Sequence, residues 1–153
     1  MSAIEARLAE LGLVLPEIAA PAGAYIPAVV SGNLVFTAGQ LPFIAGALPA
    51  TGKVGGAVSA EDAKTYAATS ALNALAAVKG VIGSLDRVTR VVKVVGFVAS
   101  DPGFSGQPGV INGASELLGQ IFGDLGVHSR SAVGVAVLPL DSPVEVELIV
   151  EFA

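Results

Sequence analysis

The sequence has no cysteine, no tryptophan, a single histidine (His128) and little charge, and each shortage excludes something. Without cysteine there can be no disulfide, no thiolate zinc site and no cysteine nucleophile, an absence that also fits a cytoplasmic setting. One histidine rules out a multi-histidine metal centre, and no acidic cluster takes its place, so no metal is expected. Only 8 lysines and arginines face 13 acids, a net charge of −5. That balance leaves no basic stripe for a phosphate backbone, and no nucleic-acid partner is expected.

Charged residues make up 14% of the 153-residue chain and hydrophobic residues 53%, with a mean hydropathy of +0.75. Soluble domains carry about 25% charged residues. Such a chain either enters a membrane or hides apolar surface against copies of itself. The longest uncharged run, residues 18–52, is broken by Pro21, Pro27, Pro42 and Pro49. No stretch of about 20 apolar residues survives that punctuation, so no membrane partner is expected. Glu5, Arg7 and Glu10 would interrupt the apolar core of a signal peptide. The expectation is one soluble, self-associating domain over residues 1–153.

Periodicity sets the element order. Ser2 and Glu5 read as a capping box opening a short helix with Ile4, Leu8 and Leu11 on one face, ended by Gly12. A Pro/Ala connector follows over residues 16–23. Residues 25–30 and 34–38 read as a hairpin around Ser31-Gly32-Asn33, and residues 40–58, rich in Gly and Pro, as a long surface loop. Ser59 caps a second helix with Glu61 and Asp62 in its first turn; its stripe runs from Ala63 to Val78, with Lys79 and Gly80 at the far end. Residues 88–100 are a strand covered on both faces. Pro108 opens a third helix that Gly123 ends. Residues 130–138 and 144–152 are the last strands. The order α, ββ, α, β, α, ββ indicates an α+β fold: a mixed sheet with paired strands at each end and helices packed on one face. The other face is left for another subunit.

Among residues that could carry chemistry, Arg130 stands out as the only formal charge between Asp124 and Asp141. It is either an exposed strand-end cation or a carboxylate anchor, and the small neighbours Ser129, Ser131, Ala132 and Gly134 leave room for the latter. Glu145 and Glu147 share one face of the last strand, either solvated or available to hold a water against a neighbouring subunit. Gly39, at a strand end, can bring its backbone close to a ligand. Tyr25 is either core packing or a pocket wall. His128 has no evident orienting acid and reads as an exposed structural residue. No nucleotide-binding glycine motif and no G-x-S-x-G elbow occurs.

Three stretches in order resemble the Rid (YjgF/YER057c/UK114) family of reactive-intermediate enamine/imine deaminases. They are the hairpin from Tyr25 through Gly39-Gln40-Leu41-Pro42, the helix near Val110-Ile111-Asn112, and Arg130-Ser131-Ala132 through Leu138-Pro139, followed by Val144-Glu145-Val146-Glu147. The resemblance covers residue 25 to the C-terminus, with residues 1–24 like the N-terminal extension of one branch. It implies a chorismate-mutase-like α+β fold, a homotrimer whose sheets form a central barrel, and sites in the clefts between subunits. Arg130 would bind the substrate carboxylate and Gly39 would offer backbone contact near the reacting nitrogen. Tyr25, Asn112 and the backbone at Ala132 would line the pocket, and Glu145 would position water. The chain departs from the family pattern at Ala132, often cysteine, at Ala38, commonly serine, and at Pro27, frequently glutamine.

The implied activity is cofactor-independent hydrolysis of small carboxylate-bearing enamines and imines to 2-keto acids and ammonia. The alternative is a non-catalytic trimeric binder or sensor of small carboxylic acids, which would use the same arginine. An endoribonuclease, an activity linked to some relatives, ranks last because the chain is acidic.

Overall fold

The computed structural model describes residues 2–21 and 23–153. Its elements follow the expected order: α1 (Ala3–Glu10), β1 (Ala28–Ser31), β2 (Leu34–Thr37), α2 (Ala60–Ile82), β3 (Val88–Ala99), α3 (Gln107–Phe122), β4 (Ser129–Val135) and β5 (Val144–Phe152). The predicted caps are formed. Ser2 accepts from the Glu5 amide and Ser59 from the Asp62 amide. Gly12 takes a left-handed φ of 72°. Helix α2 runs past Lys79-Gly80 and ends at Ile82, where Gly83 supplies the positive φ of 86°.

The five strands form one sheet in the order β1-β2-β5-β3-β4. Neighbours pair antiparallel except β3 and β4, which are parallel and joined by the α3 crossover. This corrects the expectation of a terminal strand pair: β4 and β5 are not neighbours. After β4 the chain passes through a single 3-10 turn in which Leu140 and Asp141 both have left-handed φ angles of 59° and 57°. It then returns between β2 and β3, so β4 is left at the edge. Strand β1 also starts later than expected, at Ala28. Pro27 has no N–H to donate to the ladder, and only its carbonyl is used, accepting from Ala38 N at 2.8 Å.

Side-chain alternation divides the sheet. Val35, Val94, Val98, Val144, Val146, Leu148 and Val150 are buried beneath the helices in a single core. Removing each such side chain from water contributes about 1.5–3 kcal/mol. Ala63, Ala67, Ala71 and Ala74 of α2 are fully buried, short side chains that permit close approach. At Gly96 of β3 a Cβ would sit 2.5 Å from Ile111 Cδ1 of α3, which explains a glycine in the middle of a long strand. The loop expected to be superficial contributes to the core as well, since Val54 and Val58 are buried and Val54 bridges to Ser100.

Among the described residues, the opposite sheet face carries no helix. Val29 and Phe36 on it are 49% and 40% exposed, and Val133 at the β4 edge is 45% exposed. Glu145 and Glu147 of β5 lie on this face, in register with Phe97 and Val95 of β3. Among the described residues, no helix is long and apolar enough to cross a membrane.

Candidate functional site

A cavity of about 630 Å³ opens where the segment after β2 meets the start of β5. Its walls include Tyr25, Pro27, Gly39, Leu41 and Phe43, with Pro139 and Leu140 from the strained turn, and among the described residues Glu145 is its one charged lining residue. The loop is fixed on both sides. Gln40 exchanges backbone hydrogen bonds with Val146, at 2.8 Å (Gln40 N to Val146 O) and 3.0 Å (Val146 N to Gln40 O). Buried Asn73 of α2 donates its side-chain amide to the carbonyls of Leu41, at 3.0 Å, and Phe43, at 3.1 Å. Gly39 cannot be larger without consequence, because a Cβ there would overlap the Glu145 carboxylate.

Glu145 is half-buried and, among the described residues, has no hydrogen-bond donor to its carboxylate. Burial pushes its carboxyl above the ordinary carboxylate range, and the negative charge of Glu147 adds to the shift. Glu147 is also raised by burial, with Lys93 partly offsetting it. A carboxylate made more basic in an apolar recess is suited to accept a proton from water.

Arg130 occupies a different place. On β4 it stands in register with Val94 and so points to the helix side of the sheet, against α3. Its Nη1 donates to Asn112 Oδ1 at 2.8 Å and Ser115 Oγ at 3.2 Å, and its Nη2 donates to the Pro108 carbonyl at 3.3 Å. His128 Nε2 lies 2.9 Å from the same Ser115 Oγ. Burial and the Arg130 charge lower the His128 pKa, which favours the neutral ring that can accept the serine proton. Two of the five guanidinium N–H groups, Nε–H and one on Nη2, have no acceptor among the described residues. These two N–H groups are left to donate to a carboxylate.

The two places do not meet within one protomer. Arg130 aligns with Val94 and Glu145 with Phe97, so they are three residues apart along β3, on strands flanking it and on opposite faces. Strand geometry puts their Cα atoms roughly 14 Å apart. No small ligand can bridge them through the sheet.

Comparison with known proteins identifies the frame. A family model described as "YjgF/chorismate mutase-like, putative endoribonuclease" matches residues 5–152. Protein TCP17 of Trypanosoma cruzi is 42% identical over 151 residues, 97% of this chain and 93% of its own length. The chain belongs to the YjgF (Rid) family. The crystal structure of Atu1372 from Agrobacterium tumefaciens, a protein of unknown function, is 46% identical with a TM-score of 0.91, covering 98% of this chain and 92% of that one. Escherichia coli TdcF, solved with bound serine, is 28% identical with a TM-score of 0.62, covering 91% and 94%. The mixed sheet with helices on one face is thus the chorismate-mutase-like fold of the YjgF family.

Against that frame, the sequence candidates fall into two groups. Tyr25, Gly39 and Glu145 line the cavity. Arg130 and Asn112 form the cluster on α3, and Ala132 follows two residues along β4, packed against the core. Tyr25 is half-exposed in a bend rather than in a strand, and serves as a wall. His128 is not the exposed residue expected; it is half-buried and bonded to Ser115. Ser115 itself went unnoticed. Its one sequence signal was the i, i+3 spacing from Asn112, which puts both on the face of α3 that meets Arg130. A fourth participant, the connector at Ala19–Pro21, also lines the cavity.

Proposed function

We propose that the protein is a cytoplasmic homotrimer that hydrolyses small carboxylate-bearing imines and enamines to 2-keto acids and ammonia, in sites shared between subunits. The observation that carries this reading is the pair of complementary half-sites on one chain. One is a guanidinium held open by Asn112 and Ser115; the other is a basic carboxylate in an apolar cavity. The helix-free sheet face and its exposed Val29 and Phe36 supply the surface a neighbour would cover, and a cyclic arrangement would bring one subunit's Arg130 to the next subunit's Glu145.

The chemistry then follows from position. Arg130 would take the substrate carboxylate on its two remaining N–H groups, fixing the imine carbon near Gly39 and Glu145. Water adds to the C=N carbon as Glu145 accepts its proton. That proton passes to the nitrogen, the carbinolamine collapses, and R–C(=NH)–COO⁻ plus H₂O becomes R–C(=O)–COO⁻ plus NH₃. The positions of Asn112 and Ser115 make them orienting residues for the arginine. Tyr25 and the Ala132 backbone would complete the walls.

The decisive measurement is 2-keto acid release from enzymatically generated imines. The wild type should exceed buffer, and Arg130→Ala should return the rate to the buffer value; a wild type no faster than buffer would sink the deaminase. A binder of small carboxylic acids is the second reading, favoured by the serine bound to TdcF. Calorimetric binding of 2-keto acids without turnover would select it. The family description also names an endoribonuclease. The net charge of −5 argues against an RNA substrate, and RNA cleavage that vanishes in a site variant would reverse that order. Sedimentation at the monomer mass of 15.1 kDa would exclude a shared site.

A further inference from the structure

We propose that the connector at residues 16–21 is the specificity wall of this site, and that the site selects imino acids with an apolar side chain from leucine to phenylalanine in size. This rests on the deaminase reading and goes beyond it by naming what sizes the substrate. Ala19, Ala20 and Pro21 line the cavity together with Leu41 and Phe43. The lining offers a carboxylate, the Tyr25 ring and the Gln40 amide, while the remaining side chains are aliphatic, aromatic or proline, with Gly39 contributing backbone alone. A polar substituent would lose its hydration there with few partners in exchange. On one chain, before a neighbouring subunit covers it, the recess of about 630 Å³ leaves room for more than a three-carbon imino acid.

The wall is fixed rather than loose. Leu13 and Leu15 pack on the core. Ile18 lies over α2 so closely that a Cβ at Gly80 would be 2.5 Å from its Cδ1. Upstream, α1 is pinned: the Ala3 and Ile4 amides donate to the Asp86 carboxylate at 3.0 and 2.9 Å, and Arg7 Nε to the Gln120 carbonyl at 2.8 Å. Small residues at 19 and 20 on so anchored a segment leave the cavity its width.

The test compares kcat/KM on imines generated by an amino-acid oxidase from alanine, leucine and phenylalanine. Ala20 is exposed, so Ala20→Phe is compatible with folding; Ala19→Leu is the second variant. The wild type should favour the leucine- and phenylalanine-derived imines. Each variant should lower the ratio of phenylalanine to alanine turnover by about tenfold or more, the scale of steric discrimination in an apolar pocket. A wild type that prefers the alanine-derived imine overturns the proposal, as do folded variants whose ratio is unchanged. Those outcomes leave the deaminase standing. A wild type that neither turns over any imine nor binds any of the three 2-keto acids overturns both.

Discussion

Gly39→Ala adds one carbon at a point where it would meet the Glu145 carboxylate, so it tests whether that closeness matters. The backbone does not forbid alanine, since Gly39 is not among the residues with positive φ. Replacing glycine at a permitted conformation stabilises by about 0.4–1 kcal/mol through the unfolded chain. Turning Glu145 out of its preferred position costs about 0.5–1.5 kcal/mol. The two nearly cancel, and the melting temperature should move by no more than about 2–4 °C. Activity should not be spared. A displaced carboxylate forfeits general-base help, worth about 10²–10⁴, and the low end applies because imines hydrolyse readily on their own. Keto acid release should therefore fall by about 10², as in Glu145→Ala. In the Gly39→Ala/Glu145→Ala double variant the alanine at 39 should cost nothing more, a coupling of about 2.7 kcal/mol. Wild-type activity in Gly39→Ala would refute the reasoning, and so would a further tenfold loss in the double variant.

Other expectations concern the arginine cluster. Asn112→Ala removes the shortest bond holding Arg130, at 2.8 Å. Charge-assisted bonds are worth about 1.5–3 kcal/mol when buried; for this half-exposed group about 1 kcal/mol is expected, read as a five- to tenfold rise in KM with kcat little changed. A fall in kcat alone would show that Asn112 does something other than orient the carboxylate anchor. His128, held neutral by burial and by Arg130, has a folded pKa below its unfolded value. Its contribution to stability is present above the ordinary histidine pKa and is lost as pH falls through the folded value. Thermal melts of His128→Gln should lose less stability than wild type between pH 7.5 and pH 5, and parallel curves would discard this role.

Much of the fold was legible because local chemistry and tertiary structure agree. Ser2, Ser59, Pro108 and Gly123 mark helix ends that caps alone determine, and β5 alternates without exception from Val144 to Val150. What could not be read was strand order. Nothing local to residues 130–152 distinguishes a hairpin from a chain that inserts β5 between β2 and β3; that depends on Leu140 and Asp141 turning left-handed and on the α3 crossover. The site was legible one residue at a time: Arg130 by its isolation and Gly39 by its place at a strand end. Their separation was not, because face and register are properties of the assembled sheet. Ser115 was hidden for the same reason, as a serine within a helix carries no mark until an arginine arrives from a strand.

The placement of Arg130 and Glu145 on opposite faces of one sheet has a genetic consequence. In the proposed trimer an allele lacking the arginine and an allele lacking the glutamate are each null, yet neither defect is in the same half of the site. Expressed together they would assemble mixed rings, each holding one junction with both groups intact. Random mixing in equal amounts would restore about one quarter of wild-type activity. Two broken copies of this gene would thus rescue one another in a single cell, and such a compound heterozygote would keep activity where dosage alone gives none.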